Sequence, residues 1–220
     1  MVENGIGVSV LRKEDNRFLI GKGNYTDDIN VAGQTHAYFL RSPHGHATID
    51  SIDISAAAAS AGVVAVFTGD DLAADGIGPL ICGVTVTSDD GEPHRAPAHP
   101  ALAQGKVNYV GDHVAIVIAE TLAQAKDGAE KIAVDYGVLP AVTETARAAD
   151  DDQAQIHEVA PNNMCFNWPF GDKEGVEAAF ASAHKVSKLE LINNRMVTNP
   201  MEPRASLGEY NAGTEEITLH

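Results

Sequence analysis

The sequence predicts an α+β fold in which short helices lie on a mixed sheet. Twice along the chain a strand-like run, a helical run and a second strand-like run follow one another, at 47–68 and 107–140. An irregular stretch at 74–105, rich in Gly, Pro, Asp and His, separates these two units. Apolar residues make up 44% of the 220 residues and charged residues 21%, so the chain can bury a core.

The first unit opens with two strands joined by turn residues, "HAYFLR" (36–41) and "ATIDSID" (47–53). In "SAAAASAG" (55–62) a serine cap, an alanine run and a glycine stop predict a short helix. The β-branched run "VVAVFTG" (63–69) predicts the next strand, and "GDDLAA" (69–74) a helical turn with acids at its amino end.

The second unit begins with two strand-like runs in "VNYVGDHVAIVIAE" (107–120), broken at Gly111 and Asp112. A helix follows, with Thr121 as its cap and core-facing positions at helical spacing: Leu122, Ala125, Ala129 and Ile132. The extended run "VDYGVLP" (134–140) closes the unit. We expect both units to share one sheet.

A polar segment at 143–163 contains the acid run 150–152 and ends in Pro-Asn-Asn, which predicts a linker. Beyond it, "DKEGVEAAFASAH" (172–184) predicts a helix. Three strands are then expected, within 185–199, 204–211 and 215–220.

The charge balance argues against nucleic acid as a partner. The chain has 31 acidic and 15 basic residues, a net charge of −16, and its basic residues are scattered singly, as Lys106, Lys126 and Lys131 are. The first residues carry acids and no long apolar run, so we expect neither a secretory signal nor membrane insertion. Cys82 and Cys165 are too far apart for a CxxC pair and are interpreted as small buried hydrophobes of a cytoplasmic protein.

Two closely spaced histidines, His44 and His46, raise the question of a metal site. On a strand they would share one face, but zinc needs further ligands. His94 and His99 lie in the irregular stretch at a spacing that fits no ligand pattern, so we expect no metal site.

Other candidate motifs are also weak. "GKGNYT" (21–26) lacks the third glycine of a dinucleotide fingerprint and no helix follows it, so a turn leading into Asp27 and Asp28 is expected. No G-x-S-x-G nucleophile elbow occurs. The pair Asp70 and Asp71 is interpreted as a helix cap or solvated surface.

The order of these pieces resembles the large, molybdenum-binding subunit of the xanthine dehydrogenase, aldehyde oxidase and carbon monoxide dehydrogenase family. In that family the opening region carries a glycine, Tyr-x-x-Asp, Arg-Ser-Pro-x-Ala-His-Ala, Ile-Asp and Pro-Gly-Val-x-x-Val-x-Thr-x-x-Asp. The matching residues here are Tyr25, Asp28, Arg41, Ser42, Pro43, His46, Ala47, Ile49, Asp50, Gly62, Val63, Val66, Thr68 and Asp71.

Two further blocks carry the resemblance, "HPALAQGKVNYVGDHVAIVIAETLAQAKDGAEKIAVDYGVLPAV" and "NRMVTNPMEPRASLGEY". The chain departs from the family at Gly45 (usually alanine), Thr48 (commonly arginine) and His113 (usually proline). The resemblance implies an α/β hammerhead domain with an amino-terminal extension at 1–142, a linker at 143–163 and the truncated start of a molybdopterin-binding α/β domain at 164–220. It places His46 in a structural strand and His44 in a variable position.

The resemblance also implies the amino-terminal part of a molybdenum hydroxylase, carbon monoxide dehydrogenase-like or aldehyde oxidase-like. Such enzymes use molybdopterin cytosine dinucleotide with molybdenum, joined by copper in carbon monoxide oxidisers, and pass electrons to iron–sulfur and FAD subunits in a dimer of heterotrimers. The pterin-contacting glutamine, the glycine-rich cofactor loops and the catalytic glutamate follow later in the family's chain. No catalytic, cofactor-binding or metal residue is therefore expected within these 220 residues. The 220 residues alone are expected to bind neither the molybdenum cofactor nor copper.

Alternatives remain open. Glu202 and Arg204 in "MEPRA" could act directly, although an acid–base pair of this kind is more often structural. The chain could also be a separately encoded split subunit with a sticky edge at 215–220, or a stand-alone hammerhead binding module that uses the surface of 74–105.

Overall fold

A computed structural model describes residues 7, 9–194 and 196–220. Met1–Ile6, Val8 and Arg195 lie outside the described residues; they belong to the expected amino-terminal extension and to the third block of the resemblance. The described chain forms two compact units, one over Thr35–Ser187 and one made of residues up to Gln34 with Lys188–His220. In chain order the helices and strands are α1 (Asp15–Leu19), β1 (His36–Arg41), β2 (Ala47–Asp53), α2 (Ser55–Ala58), β3 (Val63–Thr68), α3 (Gly69–Ala74), β4 (Lys106–Val107), β5 (His113–Ala119), α4 (Leu122–Ala129), β6 (Ala133–Val138), α5 (Lys173–Ser182), β7 (Gly208–Asn211) and β8 (Glu216–Leu219).

The Thr35–Ser187 unit contains two antiparallel three-stranded sheets, in the orders β1-β5-β3 and β4-β2-β6. The expectation of one shared sheet is wrong. Each strand–helix–strand unit places one strand in each sheet, because β3 pairs with β5 while β2 pairs with β6. The two consecutive strands β1 and β2 likewise lie in different sheets.

Strand β5 joins the two halves of the core. Its residues Ala115, Val117 and Ala119 pack in a cluster with Ala125 and Ala129 of α4. Its opposite face carries Val114, which packs with residues of the second sheet in another cluster, Ala47, Ala103 and Val107. Because both faces are covered, the strand reads as a nearly continuous apolar run.

The cap predicted for α4 is present, whereas the serine cap predicted for α2 is wrong: Ser55 is the first helical residue, and α2 has no side-chain cap hydrogen bond. Thr121 Oγ1 accepts a hydrogen bond from Gln124 N at 3.3 Å at the start of α4, as expected. The helix buries Ala125 and Ala129, with Ile132 just beyond it, but Leu122 in its first turn is 44% exposed and does not face the core.

The stretch predicted as irregular, 74–105, is irregular except for Ala74, the last residue of α3. Among its described residues one isolated bridge, Thr87 to Pro93, is the only β pairing. The stretch is nevertheless held in place by 165–167. Arg95 N donates to Cys165 O and Asp89 N to Asn167 O, each at 2.8 Å.

The last part of the chain buries almost nothing. The predicted strands near the carboxyl terminus form the hairpin β7–β8. The strand predicted in 185–199 is absent from the described residues of that range, because no neighbouring segment pairs with it. From 167 to 220 every described residue is exposed except Leu207, which is half-buried.

Candidate functional site

The two histidines of the opening motif have separate partners. His44 packs edge-on against the ring of Tyr136, with centroids 5.0 Å apart. His46 precedes β2 rather than lying in it, is 5% exposed, and its Nδ1 donates to Pro140 O at 2.8 Å. The other ring nitrogen, Nε2, is buried without a hydrogen-bond partner.

The other candidate ligands lie apart from this pair. His94 Nε2 is 3.6 Å from Cys82 Sγ, and His99 Nε2 is 3.5 Å from Tyr109 Oη. Within the part of the chain that the structure describes, no three His, Cys, Asp or Glu side chains come together as a metal site.

The weak motifs take the conformations expected of turns and caps. Residues 26–28 form a 3₁₀ turn in which Asp28 Oδ2 accepts from Tyr25 N at 3.0 Å. Asp71 accepts from Thr68 N at 2.7 Å and from Thr68 Oγ1 at 2.8 Å, which lowers the pKa of its carboxyl. Asp71 is therefore a cap of α3.

The cysteine interpretation is only partly right. Cys165 is half-buried, but Cys82 is exposed, because the irregular stretch carries it away from the core together with the exposed Ile81. Glu202 and Arg204 are both exposed.

One cavity in the Thr35–Ser187 unit gathers polar side chains. We call it the Lys106 cleft: it has a volume of about 730 Å³ and is lined by residues of 73–79, 97–100 and 103–112 and by His157. His157 comes from the segment predicted as a linker. The part of the lining that belongs to the irregular stretch is held by a hydrogen bond, in which Leu80 N donates to His99 O at 2.8 Å. The polar lining residues are His99, Gln104, Lys106, Asn108, Tyr109, Asp112 and His157.

Two charged side chains line the cleft, the buried carboxylate of Asp112 and the ammonium group of Lys106. Asp112 is 8% exposed and accepts from Asn108 N at 3.1 Å. Burial and the charge of Asp112 raise the pKa of Tyr109. Burial, followed by the neighbouring His46 and Lys106, lowers the pKa of His157 below its ordinary value of 6.5. Asn108 Oδ1 is a buried acceptor without a hydrogen-bond partner.

Reasoning from the sequence missed this cleft as a unit. Its lining residues are spread over more than 80 positions of the chain, from Ala73 to His157. The available signal was local: in "GKVNY", Lys106 and Asn108 flank the apolar Val107, so the two polar side chains lie on one face and Val107 on the other. The full burial of Val107 in the core agrees with that alternation.

Comparison with known families decides the assignment. Residues 20–140 match the profile described as "Aldehyde oxidase and xanthine dehydrogenase, a/b hammerhead domain", and residues 156–220 match "Molybdopterin cofactor-binding domain". The chain belongs to the aldehyde oxidase and xanthine dehydrogenase family. The expected fold class, a hammerhead domain followed by the beginning of a molybdopterin-binding domain, is thereby confirmed.

Relatives of this family align over nearly the whole chain. The carbon monoxide dehydrogenase large chain of Afipia carboxidovorans is 34% identical over 98% of this chain and 27% of that protein. The nicotine 6-hydroxylase large subunit of Paenarthrobacter nicotinovorans is 34% identical over 100% of this chain and 26% of its own length. The chain thus corresponds to the amino-terminal part of these large subunits and spans about a quarter of their length.

Solved structures agree. Quinoline 2-oxidoreductase from Pseudomonas putida 86 superposes with a TM-score of 0.78 at 34% identity, covering 97% of this chain and 26% of that one. The Cu,Mo-CO dehydrogenase superposes with a TM-score of 0.65 at 34% identity, over 82% of this chain and 23% of that one.

The molybdenum cofactor does not fit the residues that are present. In 156–220 the described acidic side chains are exposed, and Ala160 is the one buried residue. These described residues therefore offer no buried donor set with which to hold the cofactor by themselves.

Proposed function

We propose that this chain is the amino-terminal part of the large subunit of a molybdenum-dependent hydroxylase. The match of its two successive parts to the hammerhead and cofactor-binding profiles carries the proposal. In such a subunit the cofactor supplies oxidative hydroxylation of an electron-poor carbon. In such a subunit these residues have a structural role: they pack against the later part of the chain, which carries the catalytic residues.

The exposed apolar surface of the last residues supports this role. Phe170, Ile192 and Met201 are 93%, 88% and 103% exposed. Large apolar side chains left this exposed within each unit are what an interface with further protein would cover. We propose that further residues of a large subunit cover these side chains, and that the domain boundaries lie near 142 and 163.

The proposed cofactor is molybdopterin cytosine dinucleotide, with copper only if the enzyme oxidises carbon monoxide. The proposed partners are iron–sulfur and FAD subunits in a dimer of heterotrimers, in the cytoplasm. The relatives named as a large chain or a large subunit support the presence of other chains. The structure's described part contains no helix long and apolar enough to cross a membrane.

The first test is the reading frame past the codon for His220, together with metal analysis of the protein purified from its natural source. We expect a frame that continues for several hundred codons and a product that carries molybdenum, iron and flavin. A stop codon after His220, with a second polypeptide that co-purifies and carries the molybdenum, would identify a split subunit instead. A monodisperse, metal-free 220-residue protein without partners would favour the binding module.

A further inference from the structure

Residues 143–164, which we call the strap, are anchored at both ends but not in between. Just before the strap Leu139 N donates to His46 O at 2.9 Å, and just after it Arg95 N donates to Cys165 O at 2.8 Å. Among the described residues, no hydrogen bond or ion pair joins the strap itself to the rest of the chain. Between its anchors the strap is therefore held by packing alone.

The polar groups of the strap bond to one another instead. Asn163 Oδ1 accepts from Ile156 N at 2.9 Å, and Asn163 Nδ2 donates to Ala148 O and Ala154 O, each at 2.9 Å. Ala160, in the same part of the strap, is 1% exposed. The strap can therefore leave its position without breaking a hydrogen bond to the rest of the protein, and what opposes its release is the burial of a few side chains.

His157 is the titratable side chain through which the strap lines the Lys106 cleft. Its imidazole is half-buried. The groups that act on it come from four other segments of the chain: His46 before β2, His99 in the irregular stretch, Lys106 in β4 and Asp112 before β5. Three of these groups are basic, and the one carboxylate already accepts a hydrogen bond from the backbone. A proton added to His157 is therefore opposed by its surroundings.

The docked and the released strap hold a proton on His157 with different strength. In the docked strap burial comes first, then His46, Lys106 and His99, in lowering the pKa of His157 below 6.5, and Asp112 opposes them. In a released strap the imidazole is in water, and its pKa returns to the ordinary 6.5. The contribution of His157 to docking is therefore fully present above pH 6.5 and is lost as the pH falls from 6.5 through the docked-state pKa.

We propose that the strap is a pH-sensitive cover of the Lys106 cleft: acidification protonates His157, releases the strap and opens the cleft to water. This device is separate from the molybdenum chemistry of the proposed function, so its test requires no molybdenum and its failure would leave that function untouched.

The experiment is hydrogen–deuterium exchange of the purified protein, with any subunits that accompany it, at pH 7.5 and pH 5.5. The exchange of each peptide is corrected for the intrinsic pH dependence of amide exchange. Once released, the strap lacks the packing that keeps its short turns closed, so its amides exchange faster. We expect the protection of peptides covering 154–164 to fall about three- to tenfold, since one pH unit below 6.5 limits the linkage to about tenfold.

Two variants change the contact from its opposite sides. His157→Gln has a side chain that is neutral at both pH values, so the strap should stay equally protected at pH 7.5 and pH 5.5. Lys106→Met removes the cation beside the imidazole, so the fall in protection should become smaller. Lys185→Met removes an exposed lysine that does not line the cleft and should keep the full fall.

Constant protection of 154–164 in the unaltered protein, or an undiminished fall in either His157→Gln or Lys106→Met, would overturn the proposal. If the strap of His157→Gln is unprotected at both pH values, an NMR titration of the His157 ring in the unaltered protein decides. The ring must then titrate below 6.5 and over the same pH range in which the strap loses protection. Titration at or above 6.5, or over a different range, contradicts the proposed cover.

Discussion

Gly69 shows how closely a single position fits its surroundings. It is the first residue of α3, is buried, and accepts a hydrogen bond at its carbonyl from Gln104 Nε2 at 3.3 Å. A Cβ at this position would overlap the backbone carbonyl of Ala103. Since backbone cannot rotate away as a side chain can, we expect Gly69→Ala to lower the free energy of unfolding by about 2 kcal/mol. Urea denaturation followed by circular dichroism measures this change.

Gly83→Ala is the matched control for Gly69→Ala. A Cβ at Gly83 meets nothing within 4 Å, and its backbone conformation is open to other residues. We expect its unfolding midpoint to equal that of the unaltered protein. Equal midpoints for all three proteins would mean that the segment carrying Ala103 moves freely to accommodate the methyl group.

At the scale of elements, α4 depends on its amino-terminal cap. This helix packs on β1 and β5 through its buried alanines, and Thr121 Oγ1 satisfies the amide of Gln124. We expect Thr121→Ala to lower the free energy of unfolding by about 1 kcal/mol, because that amide loses its acceptor. Thr145→Ala, at an exposed 3₁₀ turn, is the control and should change stability little. A loss of equal size in both variants would show that the cap itself is not the cause.

The elements that sequence reasoning identified are those with strong local patterns. The apolar run of β5, the capped helix α4 and the turn of α3 all lie where they were expected. The pairing of strands was not predictable in the same way, because β2 pairs with β6 across 80 residues or more and no local pattern specifies that partner. The strand expected in 185–199 failed for the same reason: an apolar run becomes a strand only where another strand pairs with it.

The Lys106 cleft could not be predicted from the sequence for a similar reason, because its residues lie far apart in the chain. Lys106, Asp112 and His157 each look ordinary in their own segments, and only the fold brings them to one cavity. The resemblance to the family, by contrast, was readable from the sequence, because it rests on short motifs whose order and spacing the chain preserves.

For the whole molecule, the exposed apolar side chains of 188–220 allow the given chain to be compared with a longer one. Leu191, Ile192 and Val197 are 78%, 88% and 80% exposed. We expect the 220-residue protein to bind the dye ANS strongly and the longer product of a continuing frame to bind it several-fold less, because burial removes apolar surface from water. ANS fluorescence at equal molar concentration measures this. Equal fluorescence would contradict the proposed covering of this surface.

Two partly buried histidines give the whole molecule a defined response to pH. Burial is the first cause that lowers the pKa of both His113 and His157 below the ordinary 6.5, with Arg41 adding to the effect at His113. A histidine whose pKa is lower in the folded state binds fewer protons there than in the unfolded chain. Its contribution to stability is therefore fully present above pH 6.5 and is lost as the pH falls from 6.5 through the folded-state pKa.

We accordingly expect the free energy of unfolding to fall between about pH 7.5 and pH 5.5, and the double variant His113→Gln, His157→Gln to show a smaller fall. His184→Gln, which removes an exposed histidine, should keep the full fall. This pH range is separate from that of the carboxylates. The pKa values of Asp53 and Asp71 are lowered in the folded state, so their contribution to stability is lost only as the pH falls below 3.8. Equal slopes in the double variant and the unaltered protein would assign the response to other groups. A slope that disappears would locate it in the two imidazoles, one stacked on Phe39 and one lining the Lys106 cleft.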